Sequence, residues 1–315
     1  MRNAITDVPG VLVGHVTRIG GGFLTGTTAV LLPPGNLVVA DVRGGGPATV
    51  DTAAVDARYG GREVPGVVLT GGSAFGLAAA RGAAAELGGG VVPGAALFDL
   101  GRGGDFGARP DASFGALAVR AASVEAPQGN VGAGTGALNV ALKGGLGTAS
   151  ADLGGGVVVG AIAALNAVGP SYAPDGLPLA AGLGLPGEFP SAILDPAVAP
   201  APPAPPPFNT VIGVVATNAA VPPFALAAAA QDGLALAVSP AHGTADGDTV
   251  FGAVTGARQA PPDEVLRAAS RVFARALVHG LLAAEPVTTP RGRLTAHREL
   301  FPRTRAAHRA AHRGA

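Results

Sequence analysis

Thr210 follows Asn209 and stands between two segments of opposite character. On its N-terminal side, residues 196–207 are almost entirely Pro and Ala, a composition that favours extended polyproline II and cannot form a ladder or a helix interior. On its C-terminal side, residues 210–217 are strand-like and strongly apolar. That setting suits self-cleavage: the linker lets the Asn209–Thr210 peptide bond distort while the strand holds the hydroxyl. Attack of the Thr210 hydroxyl on the Asn209 carbonyl gives an ester, and hydrolysis of the ester frees a new α-amine. A Thr paired with its own terminal amine is an activated nucleophile. An α-amine with a pKa of about 7.7–8.0 is matched to general-base work near neutral pH. Taken alone, however, an Asn-Thr pair opening a strand is usually only a turn.

Other residues offer chemistry with rival readings beside it. Asp246 and Asp248 are two apart, and on an extended segment such residues face one side. Two carboxylates there can hold an ammonium or share a proton; the plainer reading is a polar Asp-Gly-Asp turn. Lys143 is the only Lys beside twenty Arg. Arg is always charged and forked, whereas Lys is compact and sheds its proton when buried. A lone Lys in an apolar, Gly-flanked segment is therefore a candidate for work Arg cannot do, with chance survival as the alternative. Residues 129–136 form a glycine loop in which Gly132-x-Gly134-x-x-Ala137 satisfies a loose dinucleotide fingerprint. No strand leads into it, since 125–128 is largely polar and contains Pro127, so the strand–loop–helix test fails. Gly132, Gly134 and Thr135 read instead as a substrate or oxyanion loop. Ser73 follows a strand and opens a helix, but the G-x-S-x-G form is not met, and it reads as a helix N-cap. The six His have no H-x-H or H-E-x-x-H spacing. His242 is the nearest to Thr210 and reads as a loop His. No metal and no cofactor is expected.

These side chains need elements to hold them. In 315 residues, 48% are apolar and only 13% charged, enough for one large core or two small ones. The sequence predicts strands over 11–16, 29–32, 37–42, 67–69, 157–163, 212–216 and 250–254. Helices are predicted over 73–87, from Pro110-Asp111 to 122, over 224–236, and over 264–284 after Pro261-Pro262-Asp263. Lys+Arg and Asp+Glu both total 21, which argues against nucleic acid or an anionic membrane as the main partner. No cysteine is present, which excludes disulfides, thiolate metal sites and a Cys nucleophile. Residues 1–7 lack an apolar h-region, and the most apolar stretch, 156–168, is too short to span a membrane; a cytoplasmic setting is expected. The 209/210 bond divides ten cations and fourteen acids from eleven cations and seven acids. Two parts of net charge −4 and +4 attract. The tail over 291–315 carries seven Arg and three His against one Glu and reads as a solvated basic terminus.

The run Asn209-Thr210-Val211-Ile212-Gly213-Val214-Val215-Ala216-Thr217-Asn218-Ala219 resembles the processing-site signature of the L-aminopeptidase/D-esterase (DmpA) family, which includes β-peptidyl aminopeptidases and nylon-oligomer hydrolases. The resemblance extends in order through Ile5-Thr6-Asp7-Val8-Pro9-Gly10-Val11, Asp41-Val42-Arg43-Gly44-Gly45, Leu69-Thr70-Gly71-Gly72-Ser73-Ala74-Phe75-Gly76-Leu77, Gly129-Asn130-Val131-Gly132-Ala133-Gly134-Thr135-Gly136-Ala137, Lys143-Gly144-Gly145-Leu146-Gly147, Asn166-Ala167-Val168-Gly169 and Asp246-Gly247-Asp248-Thr249-Val250-Phe251. It ends near Pro286.

The resemblance implies an α/β fold, an αββα sandwich of the N-terminal-nucleophile-hydrolase kind. It also implies catalytic roles for Thr210, Lys143, Asn166, Asp246 and Asp248. Thr210 is the nucleophile and its freed amine the base. Asn166 is expected near the oxyanion and Lys143 beside Thr210. Asp246 and Asp248 are expected to orient the Thr210 amine and hydroxyl. Family members commonly carry Ser as nucleophile; Thr with the Asp-Gly-Asp pair is closer to the nylon-hydrolase-like branch, so the substrate stays open between short peptides, including D- or β-residue peptides, and ω-amino-acid oligomers. The expected product is residues 1–209 and 210–315 of a single domain, held together and assembled as a homotetramer of processed heterodimers. Two alternatives stand beside it: a self-cleaving acyltransferase of the ornithine-acetyltransferase type, and an unprocessed, non-enzymatic binding protein.

Overall fold

The computed structural model describes residues 1–190 and 209–302, so the Pro-rich run over 196–207 and the end of the basic tail lie outside the described residues. Its strands are β1 (Leu12–Gly20), β2 (Phe23–Leu31), β3 (Leu37–Val42), β4 (Ala48–Val50), β5 (Gly66–Thr70), β6 (Gly94–Ala96), β7 (Leu138–Asn139), β8 (Leu142–Lys143), β9 (Leu146–Asp152), β10 (Val158–Ala164), β11 (Ile212–Ala219), β12 (Thr249–Arg258), β13 (Val287–Thr289) and β14 (Gly292–Leu294). The helices are α1 (Ser73–Gly76), α2 (Ala78–Glu86), α3 (Ala112–Arg120), α4 (Pro223–Ala237), α5 (Pro262–Ala283) and α6 (His297–Leu300). Two five-stranded sheets result, ordered β1-β2-β5-β6-β4 and β3-β12-β11-β10-β9.

Period-two patterning explains why the sheets stack. Along β11, Ile212, Val214 and Ala216 enter the core between the sheets, where they meet Val30, Val67 and Leu69 of the other sheet. The alternate residues Val211, Val215 and Ala219 pack against α4 and α5, among Leu226, Leu234, Phe273 and Leu277. A strand buried on both faces reads as a continuous apolar run, which is how β11 reads. Each fully buried Val or Ile contributes about 1.5–3 kcal/mol. On the far side, Val68 of β5 faces α2 and α3 through Ala79, Ala83 and Phe114. The layers therefore run α2/α3, sheet, sheet, α4/α5: an αββα sandwich.

Small residues set the outer spacing. A Cβ on Gly82 would lie 1.7 Å from the Ala112 carbonyl oxygen, and one on Gly115 would lie 1.8 Å from that of Ala79. Thus α2 and α3 meet backbone to backbone, and neither glycine has room for a side chain.

The helices over 224–236 and 264–284 match α4 and α5. Asp111 caps α3 by accepting the Ser113 N–H at 2.9 Å. The helix expected over 73–87 is instead divided at Leu77, and its cap is Gly72 (φ 82) rather than Ser73. Ser73 itself sits at φ 51, in the left-handed region, and makes no capping bond. Strand β9 was not anticipated, because Leu-Gly-Thr-Ala-Ser-Ala-Asp has little β-branched or aromatic character. Its place comes from antiparallel pairing with β10, with a close approach of α5: a Cβ on Gly147 would lie 2.0 Å from the Ala276 carbonyl oxygen.

Candidate active site

The parallel pairing of β11 with β12 continues upstream of both strands and brings the two ends of the site together. Thr249 donates its N–H to the Val211 carbonyl at 2.9 Å, and Gly247 donates to the Asn209 carbonyl at 3.2 Å. Asn209 and Asp246 form a parallel bridge. The Asp-Gly-Asp segment thus lies alongside the Asn209–Thr210 bond as an extension of the sheet.

Thr210 is buried. Its N–H donates to the Asn166 carbonyl at 2.7 Å, and its hydroxyl donates to the Asn209 carbonyl at 2.5 Å. The residue opens onto a cleft of about 230 Å³ lined by Gly46, Ala48, Ser73, Ala96, Phe98 and Thr210. Apart from the two hydroxyls, this lining is apolar and small except at Phe98.

Asn166 lies just beyond the end of β10 and is fully enclosed. Its Oδ1 accepts from the Leu138 N–H at 3.0 Å and from Arg102 Nη1 at 2.8 Å. Its Nδ2 has no hydrogen-bond partner among the described residues, and neither does Nδ2 of Asn209.

The two carboxylates are divided in their work. Asp248 accepts the Val211 N–H on Oδ1 at 2.8 Å, and its Oδ2 pairs with His242 Nδ1 at 2.9 Å. Asp246 accepts the Val168 N–H on Oδ1 at 3.3 Å. Burial first, then the charge of Asp248, pushes Asp246 up to about 6. His242 is therefore tied to the site through Asp248 and has no bond to Thr210.

Lys143 and the glycine loop form a layer behind these residues. The Lys143 ammonium, fully buried, donates to the carbonyls of Gly134 at 2.9 Å, Ala137 at 3.2 Å and Gly144 at 2.6 Å. No hydrogen bond joins it to Thr210. Burial, with Arg102 adding repulsion and Asp99 opposing it, brings Lys143 down to about 7. Three carbonyls converging on one nitrogen call for three donors, which only the ammonium supplies. The loop spends these groups away from Thr210: Gly132 N–H goes to Thr17 Oγ1 of β1 at 2.9 Å, and the Thr135 hydroxyl goes to the Gly132 carbonyl at 2.7 Å. The loop reaches the site through Gly136, whose carbonyl accepts from Arg102 at 2.6 Å.

Two residues at the site carry little functional signal in the sequence. Arg102 carries little because it is one of twenty Arg; only its place in the glycine-rich Gly101-Arg102-Gly103-Gly104 sets it apart. Ser73, whose position reads as a helix cap, lines the Thr210 cleft. Its left-handed backbone had no signal in the sequence beyond the preceding Gly71-Gly72. Among the described residues, no three His, Asp or Glu side chains are grouped to hold a metal, and no helix is long and apolar enough to cross a membrane.

The model of peptidase family S58 matches residues 3–295. An uncharacterized aminopeptidase of Mycobacterium bovis is 43% identical, the match covering 95% of this chain and 98% of the relative. One from Mycobacterium leprae is 42% identical over 90% of this chain and 91% of its own. Among solved structures, a β-aminopeptidase of a Burkholderia species superimposes with a TM-score of 0.75 at 22% identity, covering 100% of this chain and 94% of that one. The L-aminopeptidase D-Ala-esterase/amidase of Ochrobactrum anthropi gives 0.71 at 23% identity, covering 100% and 95%. At that identity these two structures carry the fold.

Proposed function

The chain belongs to peptidase family S58, and from that footing we propose that it cuts itself between Asn209 and Thr210 and then hydrolyses amide bonds of short peptides through an acyl-enzyme on Thr210. The observation that carries this reading is the meeting of two donors on one carbonyl. The Thr210 hydroxyl and the Gly247 N–H both address the Asn209 carbonyl oxygen, so the attacking group and a donor for the developing oxyanion converge on the bond to be broken.

In the first reaction, the Thr210 oxygen bonds to the Asn209 carbonyl carbon as the C–N bond breaks. The hydroxyl proton passes to the departing Thr210 nitrogen, leaving an ester with a free amine. Water then hydrolyses the ester, giving the Asn209 carboxylate and restoring the Thr210 hydroxyl. In the second, the freed amine takes the hydroxyl proton while the oxygen attacks a substrate carbonyl, with Asn166 Nδ2 as a donor to the oxyanion. The proton goes to the leaving amine, and water releases the acyl group. Asp246 and Asp248 orient the new terminus, and Lys143 holds the glycine loop behind it. The small apolar cleft favours a compact acyl side, as in short peptides of D- or β-residues or ω-amino-acid oligomers.

Both products remain associated in this reading, because β11 sits between β10 and β12 in the middle of its sheet. The processed pairs assemble as a homotetramer. Denaturing electrophoresis and intact mass test the mechanism. Fresh wild-type protein should yield a fragment beginning at Thr210, while Thr210→Ala should remain full-length and inactive on a panel of aminoacyl amides. A full-length wild-type band that hydrolyses the panel would sink the Thr210 mechanism. Acyl transfer to an added amine at the expense of hydrolysis would reassign it as an acyltransferase.

A further inference from the structure

Arg102 touches both amide side chains that flank Thr210. Nη1 donates to Asn166 Oδ1 at 2.8 Å and to the Gly136 carbonyl at 2.6 Å, and Nη2 donates to Asn209 Oδ1 at 3.2 Å. Asp99 is buried beside this guanidinium and accepts the Gly72 N–H at 2.7 Å; burial pushes its carboxyl up, and the charge of Arg102 opposes that shift. A planar fork suits the task, since one guanidinium reaches oxygens on three separate segments in fixed directions.

The arrangement decides which way the amides face. Arg has donors and no acceptor, so only the oxygen of each amide can point toward it. The Leu138 N–H reinforces the same orientation for Asn166. The nitrogen of each amide is thereby turned away, and in both residues that nitrogen is enclosed without a partner among the described residues. An enclosed donor left open is costly and calls for an explanation. A carbonyl that becomes an oxyanion during reaction supplies one.

We propose that Arg102 is a positioning residue for both reactions of Thr210: it fixes the Asn209 amide at the scissile bond during self-cleavage and keeps Asn166 Nδ2 aimed as an open donor during turnover. This rests on the reading of Thr210 as the nucleophile. Arg102 acts through the two asparagines and takes no proton itself. Once the bond is cut, its charge also lies beside the residue that bears the new Asn209 carboxylate.

The test is a double-mutant cycle on the full chain, using Arg102→Lys with and without Asn166→Ala, read as self-cleavage rate by intact mass and as kcat and KM of the processed fraction. Lys offers a point charge without the fork, so Arg102→Lys should cut itself about tenfold or more slowly. Its kcat should fall by about 10–100-fold with KM changed less than about threefold, the scale of a misplaced catalytic group. With Asn166→Ala already present, the same replacement should lower kcat by less than about threefold, because the residue it acts through in turnover is gone, while its effect on self-cleavage, carried by Asn209, should remain. Added guanidinium ion should restore part of the rate in Arg102→Ala, while ethylammonium should not. If Arg102→Lys fails to fold, Arg102→Gln carries the same cycle. Wild-type rates in the folded single variant, or an equal loss of kcat in both backgrounds, would overturn the proposal. Cleavage or activity of Thr210→Ala would instead overturn the reading beneath it, and is scored separately.

Discussion

The Thr210 hydroxyl lies 2.5 Å from the carbonyl oxygen of Asn209, the residue it follows, and donates to it. That contact places the hydroxyl oxygen within reach of the carbonyl carbon through a five-membered ring, the geometry an N-to-O acyl shift uses. The same carbonyl oxygen accepts the Gly247 N–H at 3.2 Å. The uncut bond is thus held ready from both sides by atoms fixed in the sheet extension.

Gly247 has no room to change. A Cβ there would lie 2.4 Å from the Gly46 carbonyl oxygen and 2.5 Å from Pro47 Cα, so Gly247→Ala must shift the segment and carry its N–H off the Asn209 oxygen. Self-cleavage of Gly247→Ala, followed by intact mass, should slow by about 10²-fold or more, the usual cost of losing one oxyanion donor. Processing at the wild-type rate would show that this N–H plays no part in the cut.

Asp246 predicts a pH dependence of defined sign. Its carboxyl is raised from 3.8 to about 6 by burial and by Asp248. Between those values Asp246 holds more proton in the folded chain than in the unfolded one, so the stability it contributes falls as pH rises from about 4 to about 6. His15, which burial brings down to about 4, contributes with the opposite sign over the same range. Activity should move against the Asp246 contribution, climbing through pH 6 as the carboxylate that orients the Thr210 amine forms. The activity slope should flatten in Asp246→Asn, and the stability of wild type minus that of Asp246→Asn should fall as pH rises from about 4 to about 6. Thermal melts and kcat/KM measured from pH 4 to 8 read them together.

Lys143 is enclosed by three carbonyls that match the three N–H groups of an ammonium. Arg is longer and planar and cannot occupy that cage, so Lys143→Arg should lose about 1–3 kcal/mol of stability by overpacking and most activity. Denaturant unfolding and turnover decide it. Full retention of both would leave the single Lys as chance.

Ser73 combines a left-handed backbone with a hydroxyl in the cleft. Glycine tolerates φ 51 without strain, so Ser73→Gly should melt no lower than wild type. If the hydroxyl contacts substrate, KM should nevertheless rise by about tenfold, the worth of one hydrogen bond. An unchanged KM would assign Ser73 to backbone geometry alone.

The long amphipathic pattern of α5, the Asp111 cap of α3 and the two-faced apolar run of β11 were legible from residue order, because local periodicity and capping chemistry act over a few residues. So was Thr210 as a candidate, from its linker-to-strand boundary, and Asp246 and Asp248 as two carboxylates spaced two apart. What residue order by itself determined is therefore the identity of the chemical groups and the elements that carry them. Tertiary structure decided their relations. Only the parallel pairing of β11 with β12 lays Gly247 on the Asn209 carbonyl across 38 positions of sequence. Only the stacking of sheets and loops brings Arg102 to Asn166 and Asn209, and seats Lys143 on carbonyls instead of on Thr210. Those contacts span segments distant along the chain, and hydrogen-bond geometry between such segments has no local signal to read.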